Sequence, residues 1–339
     1  MSPCCPSTCC PLIDAPAHVG LAPHPLEFRE ATDEWALRIA HVSNAALVER
    51  AVHSRPVPRG YYRITRAHGG LRLIGKVVWS HDAPRIAAAQ RLSDAAAAAG
   101  IPAQHSAGPP RAIDEEYTLF LGHWIEGGFS AAIGTEMDSL GATVARLHRF
   151  LRDARSPGAS TNEIALIEAL SGCPRLAATS REALDDVLRR CDEVRANLGS
   201  PSQPIHNDLH VANVLFDAQG RVAGVLDFEE AVHSTGSPVI DLSWVVERFC
   251  FARGATQAET LAARFLAAYR AGAGRLAVPR GAFFDAIRWR SLFALGLLAD
   301  APSDDIDAAR AEWGKFEWIL AASPAWRPGL ERLESALAD

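Results

Sequence analysis

The sequence predicts an α+β molecule of two lobes, a smaller one built on a β-sheet and a larger one that is mainly helical. Three observations predict it. Between Tyr61 and Trp79 the apolar period shortens from helical to alternating, the mark of paired strands. Beyond Gly128 apolar residues return at helical spacing and keep it through most of the remaining chain. Within that helical half, the stretch "PIHNDLHVANVLFDAQGRVAGVLDFEEA", Pro204 to Ala231, again reads as two short strands around a turn. A chain of 339 residues also exceeds one minimal core, which fits a division into residues 31–126 and 127–339.

Taken in order, residues 1–30 are rich in Pro and Cys without periodicity and are expected to be a disordered leader. Glu34 to His53 carries apolar residues at helical spacing and predicts a first helix. Tyr61–Arg66 and Leu71–Trp79 predict two strands joined by a turn at His68-Gly69-Gly70. "APRIAAAQRLSDAAAAAG" is a helix stopped by Gly100 and Pro102. "YTLFLGHWIEGG" is a buried strand that breaks at Gly127-Gly128. Met137–Ala154 has its stripe at Leu140, Val144, Leu147 and Leu151, a helical face. Helices are expected at Glu163–Leu170 and Arg181–Leu198. The strands Val214–Asp217 and Val222–Asp227 follow, and then helices at Asp241–Phe251, Gln257–Ala271, Arg280–Leu298 and Ile306–Ala321. No internal repeat is present.

Composition narrows the function. Lys and Arg number 34 against 40 Asp and Glu, a formal charge of −6 that argues against a nucleic-acid binder. No apolar run reaches the ~18 residues of a spanning helix, and the N-terminus lacks the pattern of a secretory signal, so a soluble cytoplasmic protein without a membrane partner is expected. The paired cysteines of "CCPSTCC" (Cys4, Cys5, Cys9, Cys10) either belong to the leader or bind a soft metal; no further His or Cys follows nearby to complete such a site. Cys173, Cys191 and Cys250 read as reduced residues of the interior.

The junction stretch holds His206, Asp208, His210, Asn213 and Asp227, and three chemistries compete for it. A zinc site is one, since His206 and His210 are four apart; that motif needs a helix and a Glu after the first His, and here Asn207 stands there after Pro204. A polar turn capping a hairpin is the second. The third is phosphoryl transfer, which needs a carboxylate for the acceptor hydroxyl, oxygen ligands for Mg²⁺ and a cation on the phosphates. Asp208 supplies the base. Asn213 and Asp227, at the two ends of a hairpin, supply an amide and a carboxylate oxygen, a donor set that suits Mg²⁺. His206 then braces the loop, and His210 has no required role. This chemistry demands a lysine on a strand of the first lobe, and Lys76 is the only lysine before Lys315. Gly122, His123 and Trp124, where the strand Tyr117–Trp124 ends, would meet adenine as a hinge.

These pieces resemble the aminoglycoside phosphotransferase family, small-molecule kinases with a protein-kinase-like two-lobe fold that include homoserine, choline and methylthioribose kinases. "LGATVARLH" resembles the helix before the catalytic loop, "HNDLHVANVLFD" the loop, "GVLDFEEA" the metal-binding strand, and "GSPVIDLSWVV" the helix start whose Asp, here Asp241, braces the loop. The resemblance spans residues 60–270 and implies ATP and Mg²⁺ as cofactors. It also implies Asp208 as base, Asn213 and Asp227 as metal ligands, and Lys76 on the ATP phosphates.

Departures from the family pattern are local. Asn207 replaces the usual Gly of H-G-D, which a turn tolerates because Asn accepts left-handed backbone. The covering loop "HSRPVPRGYY" has one glycine and two prolines. The helix after Lys76 offers no clear Glu to pair with it; only Asp82, Asp94 and the stand-in Gln90 are present. Glu229 and Glu230 could face the cleft and favour an amine-bearing acceptor, or be solvated or paired to an Arg. The expected activity is transfer of the γ-phosphoryl group of ATP to a hydroxyl of an aminoglycoside-like antibiotic, amino-alcohol or sugar, by a monomer or homodimer. A catalytically weak nucleotide-binding regulator of the same fold is the alternative. A protein kinase is disfavoured, since no A-P-E segment follows Asp227.

Overall fold

In the computed structural model, which describes residues 27–52, 57–67, 69–154, 163–254, 257–300 and 306–338, the first lobe is a six-stranded antiparallel sheet. Its strands are β1 (Phe28–Glu30), β2 (Ala45–Ala51), β3 (Gly60–Arg66), β4 (Arg72–Trp79), β5 (Arg111–Ala112) and β6 (Tyr117–His123), in the order β1-β2-β3-β4-β6-β5. Alternation along β4 sorts its side chains between two faces. Leu73 and Val77 join Tyr62, Ile64, Leu119 and Leu121 beneath Ala36 and Ile39 of the helix α1 (Glu34–Ser43). Val78 packs on the opposite face with Phe120 and with Ile86 of the helix α2 (Ala83–Ala98). Lys76 shares that second face by register.

The sheet is larger than the sequence predicts. The expected helix from Glu34 to His53 ends at Ser43, because Asn44 takes a left-handed conformation (φ 55°) and turns its amide back to the carbonyls of Ala40 and His41. "AALVERA" then runs as β2 against β3. Phe28–Glu30, within the expected disordered leader, pairs with Glu49–Ala51 as the edge strand β1; the four leader cysteines and His68 lie outside the described residues.

The second lobe is built on α3 (Gly134–Asp153), α4 (Glu163–Ala169), α5 (Ala178–Arg189), α6 (Cys191–Gly199), α7 (Val239–Val245), α8 (Ala258–Ala273), α9 (Ala282–Asp300) and α10 (Ile306–Ala338). The stripe Leu140, Val144, Leu147 and Leu151 is fully buried. The helix expected over Arg181–Leu198 is broken at Arg190, whose guanidinium reaches Asp285 on α9 at 3.0 Å. α7 continues into a π-helical segment, Val246–Phe251. α10 runs past the expected end at Ala321, through Pro324 and Pro328. A proline takes away the amide that would bond four residues back; the Ser323 hydroxyl serves the Leu320 carbonyl instead, at 3.0 Å. Two short ribbons bring the loops together: β7 (Gln203–Pro204) with β10 (Thr235–Gly236), and β8 (Val214–Phe216) with β9 (Val222–Val225). Among the described residues no helix is long and apolar enough to cross a membrane.

Candidate active site

The loop between β7 and β8 is held from below by one carboxylate. Asp241, fully buried in the first turn of α7, accepts the amides of His206 at 2.8 Å and Asn207 at 2.7 Å, and the Nε2 of His148 at 2.9 Å. Burial alone would raise its pKa, yet the His148 and His206 contacts hold it below the ordinary carboxylate range. His148 is fixed in turn through its Nδ1 by the Tyr269 hydroxyl at 3.0 Å. His206 accepts the Asp208 amide at Nδ1, 3.3 Å away, and so faces the Leu226 carbonyl with a protonated Nε2 at 3.2 Å. Complete burial pushes its pKa down, and both ring nitrogens are spent within the fold. Neither is left for zinc, and among the described residues no three His, Cys, Asp or Glu side chains group as a metal site. Asn207 adopts left-handed backbone (φ 62°); its side chain donates to the Ser234 hydroxyl at 2.8 Å and its carbonyl accepts from Arg290 at 3.0 Å.

That bracing leaves Asp208 projecting beside Asn213 and His210. Asn213 Nδ2 donates to the Asp208 carboxylate at 2.8 Å and to its carbonyl at 3.0 Å. Since the amide nitrogen is spent, the amide oxygen is the group Asn213 has to offer a cation. His210, expected to be an idle loop residue, places Nε2 3.5 Å from Asp208 Oδ2 and accepts the Ala212 amide at Nδ1. Burial works to raise the Asp208 pKa, but the His210 contact, with Arg290 adding positive potential, takes it below the usual range. Asp208 is therefore a carboxylate at neutral pH. Asp227, at the far end of the hairpin, sits in left-handed backbone (φ 57°) with its carboxylate partly exposed.

Lys76 crosses from β4 to this hairpin. Its ammonium pairs with Glu229 and lies 3.9 Å from Asp227 Oδ2. Burial opposes its charge, but Tyr61, Asp227 and Glu229 outweigh that and raise its pKa. The second Glu229 oxygen accepts from Arg85 of α2 at 2.8 Å. The helix thus contributes an arginine where an acid was sought, and the acid arrives from the other lobe. Gln90, the suggested stand-in, instead donates to the Leu121 carbonyl at 3.0 Å. Glu229 is consequently committed to cations of the first lobe, while Glu230 is exposed.

At the hinge, the backbone amides of His123 and Trp124 are already engaged. Gly122 pairs with Ile74, the His123 amide donates to His105 at 2.9 Å, and the Trp124 amide to Arg72 at 3.3 Å. The next residues, 125–127, make no backbone hydrogen bond among the described residues. A cavity of about 500 Å³ opens beside them, lined by Glu126, Gly127, Gly128, Phe129, Glu136 and Phe216–Ala218. His210, Arg85 and Arg290 were missed by sequence reasoning. His210 alone carried a local signal, its place two residues after Asp208; the arginines act through contacts 144 and 83 residues apart in sequence.

Comparisons with known proteins bear on the fold and the family. No curated protein sequence matches the chain. Among solved structures, an aminoglycoside phosphotransferase from Alicyclobacillus acidocaldarius superposes with a TM-score of 0.58 at 14% identity, over 93% of this chain and 98% of that one. A choline kinase from Streptococcus pneumoniae gives 0.59 at 16%, over 84% and 97%. An aminoglycoside phosphotransferase from Streptomyces rimosus, solved with ADP and streptomycin, gives 0.55 at 16%, over 76% and 96%. These likenesses establish the protein-kinase-like fold. A family model described as the phosphotransferase enzyme family matches residues 50–275, a span that contains Lys76, the braced loop and the hairpin, and the chain belongs to that family.

Proposed function

We propose that the protein is an ATP- and Mg²⁺-dependent kinase that moves the γ-phosphoryl group to a hydroxyl of a small molecule, with Asp208 as base. The observation that carries this is the state of Asp208: a carboxylate fixed by Asn213 and His210, on a loop pinned by Asp241. Asp208 accepts the proton of the acceptor hydroxyl as its oxygen forms a bond to the γ-phosphorus. The bond to the β–γ bridging oxygen breaks, and ADP leaves with that electron pair. Lys76, kept charged by its acidic neighbours, binds the phosphates of ATP. The Asn213 amide oxygen and the Asp227 carboxylate fit a hard divalent cation and would hold Mg²⁺, which supplies neutralisation of the triphosphate charge. The base of the nucleotide is read by the backbone of 125–127, next to the cavity, rather than by the amides of 123 and 124, which are engaged.

A catalytically weak regulator would be favoured by a Lys76 without an acidic partner. Glu229 supplies that partner, which favours the enzyme. The test is turnover of ATP with and without small hydroxylated acceptors, comparing wild type with Asp208→Asn. Loss of the base should lower kcat by about a hundredfold or more, since positioned general bases contribute that much. An Asp208→Asn variant that turns over like wild type would sink the assignment.

A further inference from the structure

We infer that the acceptor is an acid: a small hydroxylated molecule whose carboxylate is received by Arg248 and Arg290, beside the catalytic loop. The inference rests on the kinase reading above and narrows it. It begins at the π-helical segment that extends α7. Widening a helix by one residue is costly and recurs at functional sites. Here it accompanies two consecutive charged residues facing inward, Glu247 fully buried and Arg248 only 6% exposed. Arg290 of α9 is 7% exposed. The two guanidinium groups lie against one indole, 4.5 and 5.2 Å from the Trp244 ring centre.

This cluster adjoins the chemistry. Arg290 donates to the Asn207 carbonyl, one residue before the base. Burial pushes the Glu247 carboxyl up, against the pull of Arg248, Lys315 and His210, and His210 is the residue 3.5 Å from Asp208. Nε of Arg248, and Nε and Nη1 of Arg290, are buried without a hydrogen-bond partner, as are both oxygens of Glu247, whose carboxyl burial drives toward its uncharged form. Acids do lie near: Glu247 is 3.1 Å from Arg248 Nε and Glu163 is 3.6 Å from Arg290 Nη1, neither with hydrogen-bond geometry. Native folds rarely leave guanidinium donors buried and unspent, and a planar fork of N–H groups matches a carboxylate.

A second observation argues against the opposite charge. An ammonium acceptor is recognised by open aromatic faces and a free acid. The faces here are already covered by the protein's own cations: Trp244 by Arg248 and Arg290, Phe293 by Arg290, and Phe316 by Arg248 and Lys315. Glu229, an acid sequence reading offered to an amine, is held by Lys76 and Arg85. An amine entering beside the loop would therefore meet three cations against one exposed acid, Glu230.

The test measures ADP release by the full-length chain with glycerate, 4-hydroxybutyrate and 4-(hydroxymethyl)benzoate. The neutral amides of these acids, ethanolamine and streptomycin serve as counterparts. At least one acid should raise ADP release tenfold or more over the acceptor-free rate, with its amide and the amines near that rate. Benzoate should compete with the acid and benzylamine should not, a readout that needs no variant. Arg248→Gln should raise KM for the acid at least tenfold with kcat reduced much less, and Arg248→Lys should recover part of the loss. Stimulation by amines or amides and by no acid overturns the inference while the kinase reading stands. Stimulation by no acid together with no inhibition by benzoate overturns the inference too. An Asp208→Asn variant as active as wild type overturns the reading beneath it as well.

Discussion

Asp208 depends on a neighbour that sequence reading treated as idle. Its pKa is held down although burial works the other way, and the largest opposing contribution comes from His210. The sign of the consequence follows. A depressed pKa keeps the base ionised as pH falls, so the acidic limb of kcat/KM lies below the ordinary carboxylate range. In His210→Ala burial acts with less opposition and the Asp208 pKa rises. The acidic limb should then move to higher pH, while rates on the alkaline side, where Asp208 is ionised in both proteins, stay close together. A pH–rate profile of the two proteins checks this, and superimposed acidic limbs would show that His210 does not tune the base. His206 acts differently. It is neutral by burial and spends both nitrogens inside the fold, so it positions the loop without exchanging protons.

Elements are where local sequence and tertiary packing part company. The loop motif, the hairpin and the lone Lys76 strand were legible because each depends on local order: a turn, an alternation, and one lysine among apolar residues. The strand β2 was not, since "AALVERA" satisfies either period and only the left-handed Asn44 marks the switch. α10 outran its expected end because Ser323 compensates for Pro324, a local repair that a proline count cannot reveal. The pairing of α3 with α8 shows the same divide. Glycine is a helix's least favourable residue but one, yet Gly141 stands directly against the backbone of α8. A Cβ there would stand 2.9 Å from both the Tyr269 amide nitrogen and the Ala268 Cβ, and closer still to the Phe265 carbonyl oxygen. Backbone cannot give way as a side chain can, so Gly141→Ala should destabilise the second lobe by about 1–3 kcal/mol despite its better helix propensity. Denaturant unfolding measures it; an unchanged or raised midpoint would show that the helices separate freely. Tyr269 also holds His148 beneath Asp241, so the variant should lower kcat at temperatures where it is still folded.

At the scale of the molecule, the two lobes meet through charge. Lys76 and Arg85 of the first lobe converge on Glu229 of the second, and Asp227 stands 3.9 Å from the same ammonium. Partners 153 residues apart cannot be read from spacing, and the acid that pairs with Lys76 stands on the hairpin and not on α2. The arrangement makes Glu229 the residue that aims Lys76, and it ties that aim to lobe closure, because the lysine is positioned only when the lobes are together. Glu229→Gln keeps the shape and removes the charge. Lys76 would then lean toward Asp227, its remaining acid, and away from the phosphates. The expected result is a rise in KM for ATP of about tenfold, the worth of one charge-assisted hydrogen bond at a partly buried pair. Arg85→Ala should give a smaller rise, since Arg85 reaches the lysine only through Glu229. The double variant should cost little more than Glu229→Gln alone, because residues in one network do not add. Additive effects in that cycle would mean that Arg85 and Glu229 act separately, and that the bridge between the lobes is not what aims the lysine.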